Sequence, residues 1–285
     1  MSLTIFGGKG FVGSAYVRAY YDAAIGNIVS INERDDLTVH SKDVLYLIST
    51  VHNYNVFHSP TLDIETNLTT LIKVMESWRK RPDSKDGVFN FVSSWFVYGQ
   101  QEQPHGVKED AICDPKGFYS ITKRCAEQLL ISYCATYGLK YRILRLANVI
   151  GPGDKKVSAQ KNALQYMTNQ LEQGHDVEIY GDGRFYRDYI HVDDCARAIE
   201  LVLSKGNTNE VYNIGNGKTW DFITILAYLK IRLDSPSMFR RIQPKEFHRK
   251  VQITSFYMET GKLKSLGYKP EYTYAKLYNT LLRED

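Results

Sequence analysis

Near its start the chain runs Leu3-Thr-Ile-Phe6, breaks at Gly7-Gly-Lys-Gly10-Phe-Val-Gly13-Ser, and resumes as a helical pattern from Ala15 to Ala24. This order of apolar run, glycine loop and helix constrains the fold more than any other feature. Gly7, Gly10 and Gly13 fall at G-x-x-G-x-x-G spacing, which permits a tight turn, lets backbone N–H groups approach an anion and allows the helix to pack closely. The helix N-terminus adds partial positive charge. A dinucleotide pyrophosphate fits such a cradle, and Gly7, Lys9, Gly10, Phe11 and Val12 are its predicted contacts. Further apolar, β-branched runs at Ile28–Ile31, Val44–Ser49, Val88–Val92, Arg142–Asn148 and Glu210–Ile214 read as strands, with helical patterns between most of them. Strands apolar on both faces and separated by helices predict an α/β chain with a doubly wound, Rossmann-like parallel sheet, ligands sitting at the strands' carboxyl ends.

After Gly151-Pro-Gly the alternation changes. A helix around Gln160–Glu172, a short strand Val177–Tyr180 and mixed elements from Trp220 onward predict a smaller substrate lobe, interleaved with the sheet domain because Glu210–Ile214 returns to the sheet. The expected division is 1–152 with about 188–216 for the dinucleotide-binding domain, and 153–187 with 217–285 for the lobe. With 285 residues, 43% hydrophobic and 24% charged, the chain has the composition of a soluble domain with a sizeable core. A net charge of +4, spread along the chain, suits anionic small ligands and argues against nucleic acid as a partner. The apolar runs are far shorter than the roughly 20 residues of a membrane span. A strand pattern within three residues of Met1 leaves no room for an export signal, so a cytoplasmic protein is expected. Cys113, Cys125, Cys134 and Cys195 show neither paired nor metal-ligand spacing and read as reduced packing thiols, with no metal site.

Tyr119-Ser-Ile-Thr-Lys123 sets a phenol and an ammonium four residues apart, on one face of a helix that continues through Tyr137. A nearby cation stabilises tyrosinate and draws the phenol toward working pH, as a general base requires. The run Val88–Val92 ends in Ser93-Ser94 at the sheet's carboxyl edge, where Ser94 can hold a reacting oxygen. Ser94, Tyr119 and Lys123 are the predicted catalytic residues, with Tyr119 and Lys123 also touching the cofactor, as does Ser49 at the end of the third run. The second run is followed by Asn32-Glu33-Arg34. With Asn32 at the ribose position, Lys9 and Arg34 can pair with the 2′-phosphate of NADP, while Glu33 serves NAD after a one-residue shift; the balance leans slightly to NADP.

Glycine loop, Ser94 and the Tyr119/Lys123 pair, in that order, resemble the Ser-Tyr-Lys triad of short-chain dehydrogenases/reductases. The later motifs extend the resemblance over nearly the whole chain, to the extended branch: the NAD-dependent epimerase/dehydratase family typified by UDP-galactose 4-epimerase. Leu144-Arg-Leu-Ala-Asn148-Val-Ile-Gly-Pro-Gly153 is similar to the family's segment whose asparagine contacts the nucleotide diphosphate, and Arg187-Asp-Tyr-Ile-His-Val-Asp-Asp194 to the segment whose arginine pairs with phosphate. The resemblance implies substrate contacts at Ser94, Asn148, Asn162, Tyr180 and Arg187, with Arg249 either a second phosphate contact or a plain surface arginine. It also implies a nucleotide-diphosphate sugar as substrate and a homodimer.

Two departures stand out. Only residues 33–42 separate the second run from the third, too few for the strand and helix the family usually inserts there, so one βα unit is expected to be missing. The positions after Ser94 that carry a second acid/base in the family's dehydratases and 3,5-epimerases are Trp95 and Phe96, which cannot move a proton. Hydride transfer at one sugar carbon, C4, is therefore expected: a 4-epimerase acting through a 4-keto intermediate or, alternatively, an NADPH-dependent 4-ketoreductase. A noncatalytic dinucleotide-sensing protein is the reading from another class.

Overall fold

The computed structural model describes residues 2–20, 28–31, 36–154, 158 and 161–282. Six parallel strands form the main sheet: β1 (Leu3–Phe6), β2 (Ile28–Ile31), β3 (Asp43–Tyr46), β4 (Val88–Ser94), β5 (Lys140–Leu146) and β6 (Glu210–Ile214). Their order is β6-β5-β4-β3-β1-β2. β1, β3, β4, β5 and β6 carry apolar side chains on both faces because both are covered. Leu3, Ile5, Leu45, Leu144 and Ile214 point into one core with Tyr16, Cys195 and Ile199. Phe6, Val44, Tyr46, Phe89, Phe91 and Ile143 point into the other, against Val74, Trp78, Ala126 and Leu130. Adjacent residues of one strand thus serve opposite cores, as the period of two dictates.

The shortened connection is visible in the topology. β2 and β3 both flank β1, and β2 is the outermost strand of the sheet. No helix lies in the described part of the crossover, residues 36–42.

Several expected boundaries shift: the first helix begins at Phe11 rather than Ala15, the strand from Val88 runs on to Ser94, and the expected strand Arg142–Asn148 is Lys140–Leu146, with Asn148 in a separate strand. The third strand ends at Tyr46 rather than Ser49, leaving Leu47–Thr50 as loop at the sheet's carboxyl edge. The helix expected from about Gln160 is Ala163–Glu172, because Asn162 takes a left-handed conformation, φ 55°, that a helix cannot include.

Beyond β5 the chain leaves the sheet. Asn148–Ile150 pairs in parallel with Tyr189–His191, and Val177–Tyr180 with Phe239–Ile242. Helices Ala163–Glu172 and Phe222–Arg232 pack over these pairs around a third core that includes Ile150, Leu164, Ile179, Phe222, Leu226 and Tyr278. Between them, helix Val192–Lys205 lies against the first core beside helix Phe11–Tyr20, and β6 closes the sheet. Among the described residues, no helix is long and apolar enough to cross a membrane.

Candidate active site

At the carboxyl ends of β1, β3 and β4 a cleft of about 1120 Å³ runs from the glycine loop to the third core. Its near end is Gly7, Lys9, Gly10, Phe11, Val12 and Gly13. Gly7 has φ +84°, and a Cβ on Gly13 would lie 2.2 Å from the Gly7 carbonyl oxygen, so the turn and the close helix packing both exclude a side chain. The Gly10 N–H donates to the Gly7 carbonyl at 2.9 Å and closes the loop. This cradle, at the N-terminus of helix Phe11–Tyr20, fits a dinucleotide pyrophosphate. Asn32 and Arg34, on which the NADP preference turns, lie outside the described residues.

The triad residues are brought together by two elements. Ser94 ends β4, and its Oγ accepts from the Phe96 N–H at 3.3 Å, capping the short turn Trp95–Tyr98. Helix Phe118–Tyr137 begins against a buried side chain: Asn53 Oδ1 accepts from the Ser120 N–H at 3.2 Å, and a Cβ on Gly117 would collide with Asn53. That fixed start places Tyr119 on the cleft floor with Lys123 one turn on. Burial raises the Tyr119 phenol above its ordinary value, the Ser94 and Ser49 hydroxyls draw it back down, and the Asp63 charge raises it. Lys123 is 1% exposed; its Nζ donates to the Val92 carbonyl at 2.7 Å and lies 4.2 Å from the centre of the Phe91 ring. Burial brings its ammonium down to about 7, with Glu127 opposing. The lowering of the phenol that a nearby cation predicts does not occur in the protein alone: burial raises Tyr119, and the same burial lowers the Lys123 ammonium.

Trp95 and Phe96 form the wall beside Tyr119. They stack at 4.3 Å, Phe96 meets the Tyr119 ring edge-on at 6.1 Å, and Trp95 rests on Phe256. Beyond Trp95 sits Arg187, its guanidinium 5.6 Å from that ring's centre and 4.9 Å from Phe185's. It donates to the carbonyls of Ile253 and Thr254, each at 2.5 Å, and makes no ion pair with a carboxylate among the described residues. Burial lowers it to about 10.

Asn148, Asn162 and Tyr180 also line the cleft. The Asn148 amide donates to the Asp188 carbonyl at 3.0 Å, and Asn162 donates to the Asp154 carboxylate, which also holds Lys161 at 2.7 Å. Arg249 does not reach this cleft; it lines a separate pocket of about 190 Å³ behind Phe96. On the short helix Glu246–Val251 it is His248, with Gln252 four residues on, that faces the cleft, and Arg249 is turned by one helical step.

Several residues at the site were not singled out from sequence. Tyr54 Oη lies 3.0 Å from His248 Nδ1, and His248 packs on Tyr180 at 4.5 Å, linking the two sides of the cleft. Asn67 stands in a π turn, Glu65–Thr69, between helical segments; its Oδ1 accepts from Ser49 Oγ and the Thr50 N–H, both at 3.0 Å, and its Nδ2 donates to Thr50 at 2.8 Å and Thr122 at 3.0 Å. No local pattern marks a π turn, and Asp63 and Asn67 stand in a largely polar run, Thr61–Thr70, that gives no sign of their burial.

Known proteins are similar to this chain in sequence and fold. A putative UDP-glucose 4-epimerase of Methanocaldococcus jannaschii is 27% identical, the match covering 94% of this chain and 93% of that one. A dTDP-glucose 4,6-dehydratase of Streptomyces antibioticus is 28% identical over 76% of this chain and 72% of its own. The crystal structure of UDP-glucose 4-epimerase with UDP-glucose from Thermotoga maritima superposes with a TM-score of 0.82 at 25% identity, covering 99% of this chain and 96% of that one. The model of the NAD dependent epimerase/dehydratase family matches residues 3–215, and with its glycine cradle, parallel sheet and Ser94–Tyr119–Lys123 floor this chain belongs to that family.

Proposed function

We propose that the protein interconverts C4 epimers of a nucleotide-diphosphate sugar, with residues 1–152 and 188–216 holding the dinucleotide and 153–187 and 217–285 holding the substrate. One observation carries the reading: a single cleft joins a pyrophosphate cradle, a tyrosine–lysine floor and, beyond an aromatic wall, an arginine with no carboxylate partner among the described residues. A nicotinamide dinucleotide, when bound, supplies hydride chemistry at the sugar carbon. Gly7, Gly10 and the start of helix Phe11–Tyr20 would hold its pyrophosphate, and Ser49 and Lys123 its nicotinamide half. Tyr119 Oη exchanges a proton with the C4 hydroxyl, Ser94 Oγ orients that hydroxyl, and Lys123 stabilises the phenolate. Arg187, with Asn148, Asn162 and Tyr180, binds the nucleoside diphosphate, the planar guanidinium matching phosphate oxygens. Trp95 and Phe96 offer no proton at a neighbouring carbon, which favours chemistry confined to C4.

The test incubates purified protein with UDP-, GDP-, CDP- and dTDP-hexoses and their 4-keto forms, with NAD, NADH or NADPH, following cofactor absorbance and product identity by chromatography. A C4 stereoisomer formed without net cofactor change is expected. Stoichiometric loss of NADPH with a 4-keto sugar would make the protein a reductase instead. No turnover of any sugar with dinucleotide bound would leave the sensing role.

A further inference from the structure

Two segments of the chain meet on one buried carboxylate. Asp188, next in sequence to Arg187, is 1% exposed and does not line the cleft. Its Oδ1 accepts from the Asn216 N–H at 2.9 Å, and its Oδ2 from the Gly217 N–H at 3.2 Å and the Met258 N–H at 3.1 Å. Two of these backbone donors stand on the turn after β6 and the third on the short strand Tyr257–Met258. Gly215 leaves room for the arrangement, since a Cβ there would lie 2.7 Å from Oδ2 and 2.9 Å from the Met258 methyl. The Met258 bond bears on the cleft. Residues 253–258 run beside 186–188, the Phe256 N–H donating to the Tyr186 carbonyl at 3.0 Å, and the Ile253 and Thr254 carbonyls of this segment take the Arg187 guanidinium. One carboxylate therefore anchors the far end of the segment that orients Arg187. Asn148 donates through its N–H and its amide to the main-chain carbonyl of Asp188, each at 3.0 Å, and a change of the Asp188 side chain leaves those acceptors in place.

We propose that Asp188 is a positioning residue for the diphosphate site, its carboxylate holding Met258 and, through it, the segment whose carbonyls aim the Arg187 guanidinium at the cleft. A planar guanidinium fork binds phosphate oxygens well only in one orientation, so loosening the carbonyls that hold it costs affinity without removing a contact to the ligand. A carboxylate that served only the fold would act on every ligand alike, whether or not Arg187 were present.

The proposal rests on Arg187 as the diphosphate contact of the proposed function, and its test is a double-mutant cycle in full-length protein. Binding is read by competition calorimetry at pH 8, above the value of about 6 to which burial raises the Asp188 carboxyl. UDP, GDP, CDP and dTDP probe the Arg187 end of the cleft, and NADH and NADPH probe the glycine cradle. Asp188→Ala is expected to weaken diphosphate binding about tenfold, the size of coupling within one hydrogen-bonded network, to leave dinucleotide binding unchanged, and to weaken diphosphate binding no further when made in Arg187→Met. Gly215→Ala keeps the charge but displaces Oδ2 from Met258; it is expected to act in the same direction by less, and it carries the test where Asp188→Ala does not fold. Equal losses in the wild-type and Arg187→Met backgrounds, unchanged diphosphate binding in the folded variant, or dinucleotide binding weakened as much as diphosphate binding overturn the proposal and make Asp188 a structural residue. If wild type binds none of the diphosphates, or Arg187→Met binds them as tightly, the diphosphate reading of Arg187 fails and the proposal with it. If the cycle behaves as expected but no sugar nucleotide is turned over, the proposed chemistry fails and the role of Asp188 stands.

Discussion

Two arginines of this molecule are withdrawn from water in opposite ways. Arg145, on β5, is 2% exposed and forks onto Glu127, Nε to Oε1 at 3.0 Å and Nη2 to Oε2 at 2.8 Å, with Arg124 on the same carboxylate at 2.8 Å. Its guanidinium is held above the ordinary arginine value by that pair, against the pull of burial. Arg187 lies partly buried at the cleft wall with backbone carbonyls and aromatic faces for company, and burial alone moves it down. The first charge is neutralised by the protein. The second has no carboxylate partner among the described residues, and the diphosphate of the proposed substrate would match it in sign and shape. A buried ionic group thus reads as structural or as ligand-directed according to where its counter-charge comes from.

Removing each guanidinium separates the roles. Arg145→Met leaves Glu127 buried with only Arg124, and should cost about 3–5 kcal/mol of stability by denaturant unfolding, the cost of stranding a buried charge. Arg187→Met should cost only about 1 kcal/mol of stability, the worth of the carbonyl hydrogen bonds, while weakening nucleoside diphosphate binding by about 2–4 kcal/mol in calorimetry. Equal stability losses, or diphosphate binding untouched by Arg187→Met, would erase the distinction.

Lys123 is a third buried basic group, on the cleft side, its Nζ on the Val92 carbonyl and no carboxylate hydrogen-bonded to it among the described residues. Its folded-state value of about 7 lies below the ordinary 10.5. The unfolded chain then binds more protons than the folded one between those values, so this residue's contribution makes stability rise from about pH 7 to about 10.5, the burial penalty being full below 7 and gone above 10.5. Unfolding of wild type and Lys123→Met across that window should show the excess rise only in wild type. The smallest effect belongs to a surface pair: Arg18, 63% exposed, meets Asp193 at 3.0 Å, and Arg18→Ala should change stability by less than about 1 kcal/mol.

What was legible in the sequence follows the range of the contacts. The glycine loop and the Tyr119/Lys123 spacing are complete within one loop and one helical turn, so local spacing predicts their geometry. The missing βα unit was legible because a chain length bounds what it can build. The Asp63–Thr50–Asn67 network was not, since it depends on a π turn and on segments distant in sequence meeting under the floor. His248 and Gln252 were missed in favour of Arg249 because helical phase on a short lobe segment is set by what it packs against, here Tyr54 and Tyr180.

In the proposed function Tyr119 serves chemistry confined to C4 of a nucleotide-linked sugar. The most direct test follows a sugar nucleotide bearing deuterium at C4, in ordinary water, by NMR with wild type and Tyr119→Phe. A C4 epimer that keeps its deuterium is expected, with a loss of rate of about 10²–10⁴-fold in the variant. Washout of the label to solvent, or a Tyr119→Phe protein as fast as wild type, would contradict it.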